Sequence, residues 1–408
     1  MPNPVTYASA KQFVGLGRES MQGTPVNPAV TVPVDKFEPE DKPTWLDDKA
    51  LRGSMVETYN RVQGPLHSEF DMSGPVFFDT LGYLLNNILG DDVESGTYTG
   101  SGTTTLAGGG SAAGATSITL AATIASSTRV QIDTGTLAEV RTLASGTNPY
   151  TLDSALTYAH ASGVTVKPIT TPYLHQFSVL NSGSGQPGSL TITDFQGPTA
   201  TTGARVYSGA CLSELTMKGN SESTAIEYEA KGMAWPSAPA GSTPTSSPST
   251  LNPMAAWRST FGLAGTVGSA QVKTIGEWEV AIKREIEVIF TGQNSQNPYL
   301  IQRGKVSVTG KLVFNAVADE TPLTYLLNNT QPQLQLIASN GGSGATLQAI
   351  QFDVQQAAWT TAKIDRSKAA VGYPIEYEAV ANTTNAGGSG GFSPISIGLS
   401  NAVIPNSY

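Results

Sequence analysis

The strongest constraint on this chain is a word that it writes twice. Leu81-Gly82-Tyr83-Leu84-Leu85-Asn86-Asn87 returns as Leu323-Thr324-Tyr325-Leu326-Leu327-Asn328-Asn329, with six of the seven positions unchanged. A further pair follows in the same order: Ile226-Glu227-Tyr228-Glu229-Ala230 after the first copy, Ile375-Glu376-Tyr377-Glu378-Ala379 after the other. Two matches in register argue for an internal duplication. The first word has helical spacing. Phe77, Phe78, Leu81, Leu84, Leu85 and Ile88 form one apolar stripe that Pro75 opens and Gly90 closes, and Pro322 opens a shorter stripe of Leu323, Leu326 and Leu327. Those six leucines are the expected core positions of two helices. The other word alternates instead, placing Ile226, Tyr228 and Ala230 on one face of a strand and Glu227 and Glu229 on the opposite one. Each half therefore reads as a helix followed by a sheet.

The two halves differ by an insertion. Tyr83 and Ile226 are 143 residues apart while Tyr325 and Ile375 are 50 apart, so the first half carries 93 extra residues. A Gly/Thr/Ser-rich bridge from Ser95 to Gly114 leads into short alternating runs such as Arg129-Val130-Gln131-Ile132-Asp133 and Val164-Thr165-Val166, the pattern of a small all-β module. The expected organisation is an N-terminal extended arm at 1–45, a first domain at 46–94 and 169–235, the module at 95–168, a Pro/Ser/Thr-rich linker at 236–266, a second domain at 267–382 and a C-terminal arm at 383–408. Both arms hold apolar residues, and docking is expected of the N-terminal one. In the C-terminal arm the strict alternation of Ile395, Ile397 and Leu399 reads as a strand given to a neighbour.

Composition excludes several function classes. Only 13% of residues are charged and Gly and Pro number 43 and 25, which suits short strands and turns; the net charge of −9 leaves no basic excess to displace counterions from nucleic acid. The lone Cys211 forms no internal disulfide and reads as a small buried residue. Met1 to Glu40 has no apolar h-region and no stretch has the length of a membrane span, so neither export by a signal peptide nor membrane insertion is expected.

Chemistry-bearing patterns are few. His67, His160 and His175 lie far apart without paired-ligand spacing, and no metal site or cofactor follows from them. Asp91-Asp92-Val93-Glu94 lacks the spaced oxygen ligands of a calcium loop and reads as a solvated helix end. A GxGxxG string at Gly183–Gly188 contains Pro187 and precedes a strand-like run, so it reads as a turn. Glu227/Glu229 and Glu376/Glu378 pair carboxylates on strand faces without the cleft that acid/base work needs. No catalytic residue is expected.

Taken together, Phe77-Phe78-Asp79-Thr80-Leu81-Gly82-Tyr83-Leu84-Leu85, the hairpin around Tyr207–Leu215, the repeated Ile-Glu-Tyr-Glu-Ala strands and the inserted module resemble the tail tube (major tail) proteins of long-tailed bacteriophages. The resemblance implies a mainly β fold: two tandem tube domains, each an antiparallel β-sandwich or barrel segment with one helix, plus the inserted module and extended arms. It implies a non-enzymatic virion protein, made in the bacterial host cytoplasm, that self-assembles into stacked rings forming the conduit for double-stranded DNA during ejection. Six tube domains usually close such a ring, so a chain with two implies homotrimeric, pseudo-sixfold rings, with a hexamer as the alternative. The implied partners are further copies of itself and tail proteins such as the tape measure and terminator, with DNA passing unbound and no membrane. Glu227, Glu229, Glu376 and Glu378 become candidate lumen-facing acids. The rival reading is a virion surface decoration protein whose module grips a host glycan.

Overall fold

The computed structural model describes residues 8–145, 147–197, 203–222, 225–315, 321–367 and 369–408; Pro2 and Pro4 of the expected arm lie outside them. The first half comprises β1 (Phe13–Arg18), β2 (Val30–Val32), the long hairpin β3 (Lys36–Asp48) and β4 (Asn60–Pro75), α1 (Leu81–Ile88) and β5 (Gly90–Tyr98). After the module come β6 (Thr165–Val179), β7 (Leu190–Phe195), β8 (Ala204–Asn220) and β9 (Glu227–Ala234). The second half runs β10 (Ser259–Leu263), β11 (Ile275–Ile289), β12 (Leu300–Asn315), α2 (Thr321–Leu327), β13 (Leu334–Ser339), β14 (Ala349–Val354), β15 (Ala357–Ala362), β16 (Gly372–Ala379) and β17 (Ser396–Asn401). The protein is mainly β, and its strands pair antiparallel in two large sheets.

In the first sheet the strand order is β3-β4-β9-β8-β11-β12-β16-β15, while β7, β1 and β2 continue from the other end of β8. Four strands of the first half are thus followed by four of the second. The duplicated words identify the equivalents: β9 matches β16, and through its pairing β4 matches β12, β8 matches β15 and β3 matches β11. The order is the same in both halves, so the chain joins the last strand of one unit to the first strand of the next. Alternation dictates the facing: in β9 Tyr228 and Ala230 are buried and Glu227 and Glu229 exposed, and β16 repeats the pattern with Tyr377 and Glu376.

The second sheet covers the apolar face of the first. Its order is β10-β13-β14-β17-β6, with β5 on β6, and side chains from both sheets share one core that includes Leu215, Ile282, Val308, Phe177, Phe352 and Ile397. Here the tail departs from expectation. Rather than reaching a neighbour, β17 pairs within the chain between β6 and β14, because Ile395, Ile397 and Leu399 complete the sandwich core at 0% exposure each. The module branches from the start of β6 and has its own core of Leu106, Ile118, Val130, Ile132, Leu143 and Tyr150.

α1 starts at Leu81 instead of near Pro75. β4 keeps its ladder with β9 to the Pro75–Glu227 pair and Val76 N–H still donates to Ile226 carbonyl, which holds the backbone extended past the proline. Buried between the sheets, α1 has every residue covered, whereas α2 lies at the β15 end against Trp359, whose ring is 5.9 Å from Tyr325. Leu81, Leu84 and Leu85 are buried; Leu323 and Leu326 are half-buried. Leu327 departs from its expected core position at 74% exposure, because among the described residues no second layer covers that side of α2. Among the described residues no helix is long and apolar enough to cross a membrane.

Candidate functional site

The outward face of the eight-strand run carries most of the organised charge. Register places Glu227, Lys218, Glu279, Lys311 and Glu376 directly opposite one another on β9, β8, β11, β12 and β16, a row that alternates in sign at every strand. A neighbouring row runs Glu229, Thr216, Ala281, Thr309, Glu378, and a third contains Asp71, Lys231, Glu214 and Lys283. Lys218 bridges the first half's pair, bonding Glu229 and lying 3.8 Å from Glu227; Lys283 Nζ is 3.2 Å from Glu214. The hydrogen bond from Lys218 holds the Glu229 carboxyl below its usual range. These pairs are exposed, so each contributes less than about 1 kcal/mol to stability; their effect is to set the potential of the face.

All four glutamates named from the sequence are exposed on this one face. Sequence reasoning missed the lysines between them, so the face is mixed in sign, with an acidic excess, rather than uniformly negative. Lys218, Lys311, Lys283 and Lys231 sit one to a strand on β8, β12, β11 and β9, but which glutamate each would face depends on pairings between segments far apart in sequence.

The two ends of the run are open. Among the described pairings β3 bonds only β4 and β15 bonds only β16, leaving a row of unpaired backbone groups at each end. The junction inside the chain is fully built. β8 pairs β11 over Glu214–Asn220, and behind it Arg284 of β11 and Arg303 of β12 reach into the first half, donating to the Ile88 carbonyl at 2.7 Å and the Asn87 carbonyl at 3.1 Å. Both arginines are about nineteen-twentieths buried, and they neutralise the C-terminal end of α1. The Gly183–Gly188 loop is the turn that its sequence implies, and its Gly185 and Pro187 carbonyls receive the same two guanidinium groups.

The remaining expected sites resolve differently. Asp91 and Glu94 are 2% and 4% exposed, not solvated, because β5 continues directly from α1 into the second sheet. Cys211 is buried, and burial pushes its thiol up, which keeps it unreactive. Glu19, which no sequence motif singles out, is 5% exposed and accepts hydrogen bonds from Ser189, Thr191 and the Gly23 and Gly209 N–H groups, fastening the N-terminal strands to β7 and β8.

Residues 9–391 match the family model described as phage tail tube protein. No curated protein matches the sequence.

Proposed function

The chain belongs to the phage tail tube protein family, and from that premise we propose that three copies close a ring whose wall is one continuous sheet and whose lumen is lined by the charged face. One observation carries the reading: the β8–β11 junction already joins one unit to the next in head-to-tail order, leaving β15 and β3, the equivalents of β8 and β11, free at the two ends. A heterologous contact of this kind generates either rings or filaments. Two units per chain, with six units to a ring, give three chains and twenty-four wall strands. The division into domains at 46–94 with 169–235 and at 267–382, with the first carried back to Lys36 so that it contains β3, and the conduction of DNA through stacked rings belong to the same proposal.

The equivalence also fixes how β15 meets β3 of the next copy. Thr216 faces Ala281 at the internal junction; Ala358 stands where Thr216 does, and Lys36 where Ala281 does. Ala358 should therefore face Lys36 of the next copy, with Ala357 and Phe37 both turned to the core. Pro39, which has no N–H to give, follows the position equivalent to Lys283, where the internal ladder also ends. The double variant Ala358→Cys/Lys36→Cys tests this, since Cys211 is buried. Oxidised rings should run as covalent trimers on denaturing gels, and end-on electron micrographs should show hollow rings with threefold-modulated sixfold symmetry. Rings without cross-links would reject the register; a monodisperse monomer that never assembles would reject the tube reading in favour of a decoration protein.

A further inference from the structure

Behind α1, three ligand-type side chains from two neighbouring strands converge in the second sheet. Asp92 and Glu94 of β5 and His175 of β6 bring their donor atoms within 4.8 Å of one another. His175 Nδ1 lies 3.6 Å from Asp92 Oδ2 and 3.8 Å from Glu94 Oε1. Neither distance is a hydrogen bond. His175 is 0% exposed, and its Nδ1 has no hydrogen-bond partner; Asp92 Oδ1 has none either. The other ring nitrogen, Nε2, contacts the Val403 carbonyl at 3.3 Å, which places a proton there and aims Nδ1 between the carboxylates. That is the orientation that second-shell carbonyls impose on metal-bound imidazoles.

We propose that Asp92, Glu94 and His175 form a binding site for a divalent transition-metal ion of the zinc class, and that the ion anchors the segment after β17 to β5 and β6. Donors about 2.1 Å from a tetrahedral ion stand roughly 3.4 Å apart; the two distances from His175 close with a contraction of a few tenths of an ångström, and rotation of the carboxylates brings their oxygens, now within 4.8 Å, to the same spacing. One nitrogen and two carboxylate oxygens suit zinc better than calcium or magnesium, which take all-oxygen shells of six or more. Charge balance supports the assignment, because two carboxylates facing one buried space are costly without a cation. The nearest arginine, Arg141, stands on the far side of Glu94 at 3.7 Å from Oε2 and is bonded to Glu139. Asp91 is engaged elsewhere, both of its oxygens accepting from Tyr158 and Ser389, whereas Glu94 Oε1, among the described residues, accepts only the Asn406 N–H and keeps a second lone pair for the ion. A cleft of about 450 Å³ bordered by Asn86, Asp92, Glu94, Tyr158 and Asn406 gives an ion and a fourth, water ligand their way in. The inference stands independently of ring assembly.

The test is metal content. The full chain is dialysed against chelator, incubated with Zn²⁺ alone, desalted and analysed by mass spectrometry for bound metal, beside Asp92→Asn, Glu94→Gln and His175→Ala. The wild type should hold about one equivalent, each variant should lose it or bind at least roughly 100-fold more weakly, and chelator should lower the Tm of the wild type alone. Asp92→Asn keeps side-chain shape, and an unchanged circular dichroism spectrum shows that its loss of metal is not unfolding. Failure of the folded wild type to retain zinc would mean that a protonated imidazole bridges the carboxylates, and zinc retained by all three variants would place it elsewhere; either result overturns the proposal.

Discussion

His160 shows how far apart the partners of one side chain can lie in sequence. Its Nε2 contacts Glu139 at 2.5 Å and its Nδ1 contacts Asp133 at 3.2 Å, while Glu139 also bonds Arg141 and accepts from the Thr157 N–H. Burial works to lower the histidine's pKa, but the hydrogen bonds to Glu139 and Asp133 outweigh it and the net shift is upward. A raised folded-state pKa means stabilisation that is complete below the ordinary histidine value and drains as pH rises through the folded one. Denaturation of wild type and His160→Gln should therefore show the wild-type advantage shrinking as pH rises above the ordinary histidine value of about 6.5; a constant difference would mean that the ring acts by packing alone. None of this is legible in the sequence, where each histidine stands alone among residues that fold away from it. The glutamate pairs are legible, because i and i+2 on a strand share a face whatever its partner.

At the scale of the element, the repeated asparagine separates the two helices. Asn87 donates to the Gly188 carbonyl at 2.9 Å and the Ala210 carbonyl at 3.0 Å and accepts from Leu212 N–H at 2.8 Å, stitching α1 to β8. Its counterpart Asn329 is exposed past the end of α2, with φ of 50°. Asn87→Ala takes the partner from the buried Ala210 carbonyl and Leu212 N–H, while the Gly188 carbonyl keeps Arg303, and should cost about 2–3 kcal/mol in chemical denaturation. Asn329→Ala loses only the tolerance of asparagine for left-handed backbone, about 1 kcal/mol. Equal effects would contradict this account. Spacing reveals both helices because an apolar stripe needs only local sequence. It misses the depth of α1 and the exposure of Leu327, which depend on whether a second sheet lies overhead.

For the whole molecule, the duplicated words are enough to expect two similar units, and the two antiparallel sheets bear out a mainly β architecture. What the words do not contain is the fusion of those units into one sheet, which rests on the β8–β11 ladder between segments that share no motif. The mixed-sign face follows from that ladder. In the proposed lumen the acidic excess discourages phosphate from adhering within a Debye length, about 8 Å at physiological salt, while the lysines relieve repulsion among glutamates around the ring. Replacing Glu227, Glu229, Glu376 and Glu378 with Lys should slow DNA ejection, with the effect shrinking as salt rises. Unchanged ejection kinetics would remove these four from the lumen.

The place of β17 also bears on time. Its two partners, β6 and β14, are translated before it, yet among the described pairings they are joined into one sheet through it. Until Ser396–Asn401 leaves the ribosome, the sheet backing both units has a gap at its centre, and the first half cannot mature as a finished unit while the second is still being made. A nascent chain is thereby kept from presenting a completed wall segment to its neighbours until nearly all of the protein described here has been synthesised.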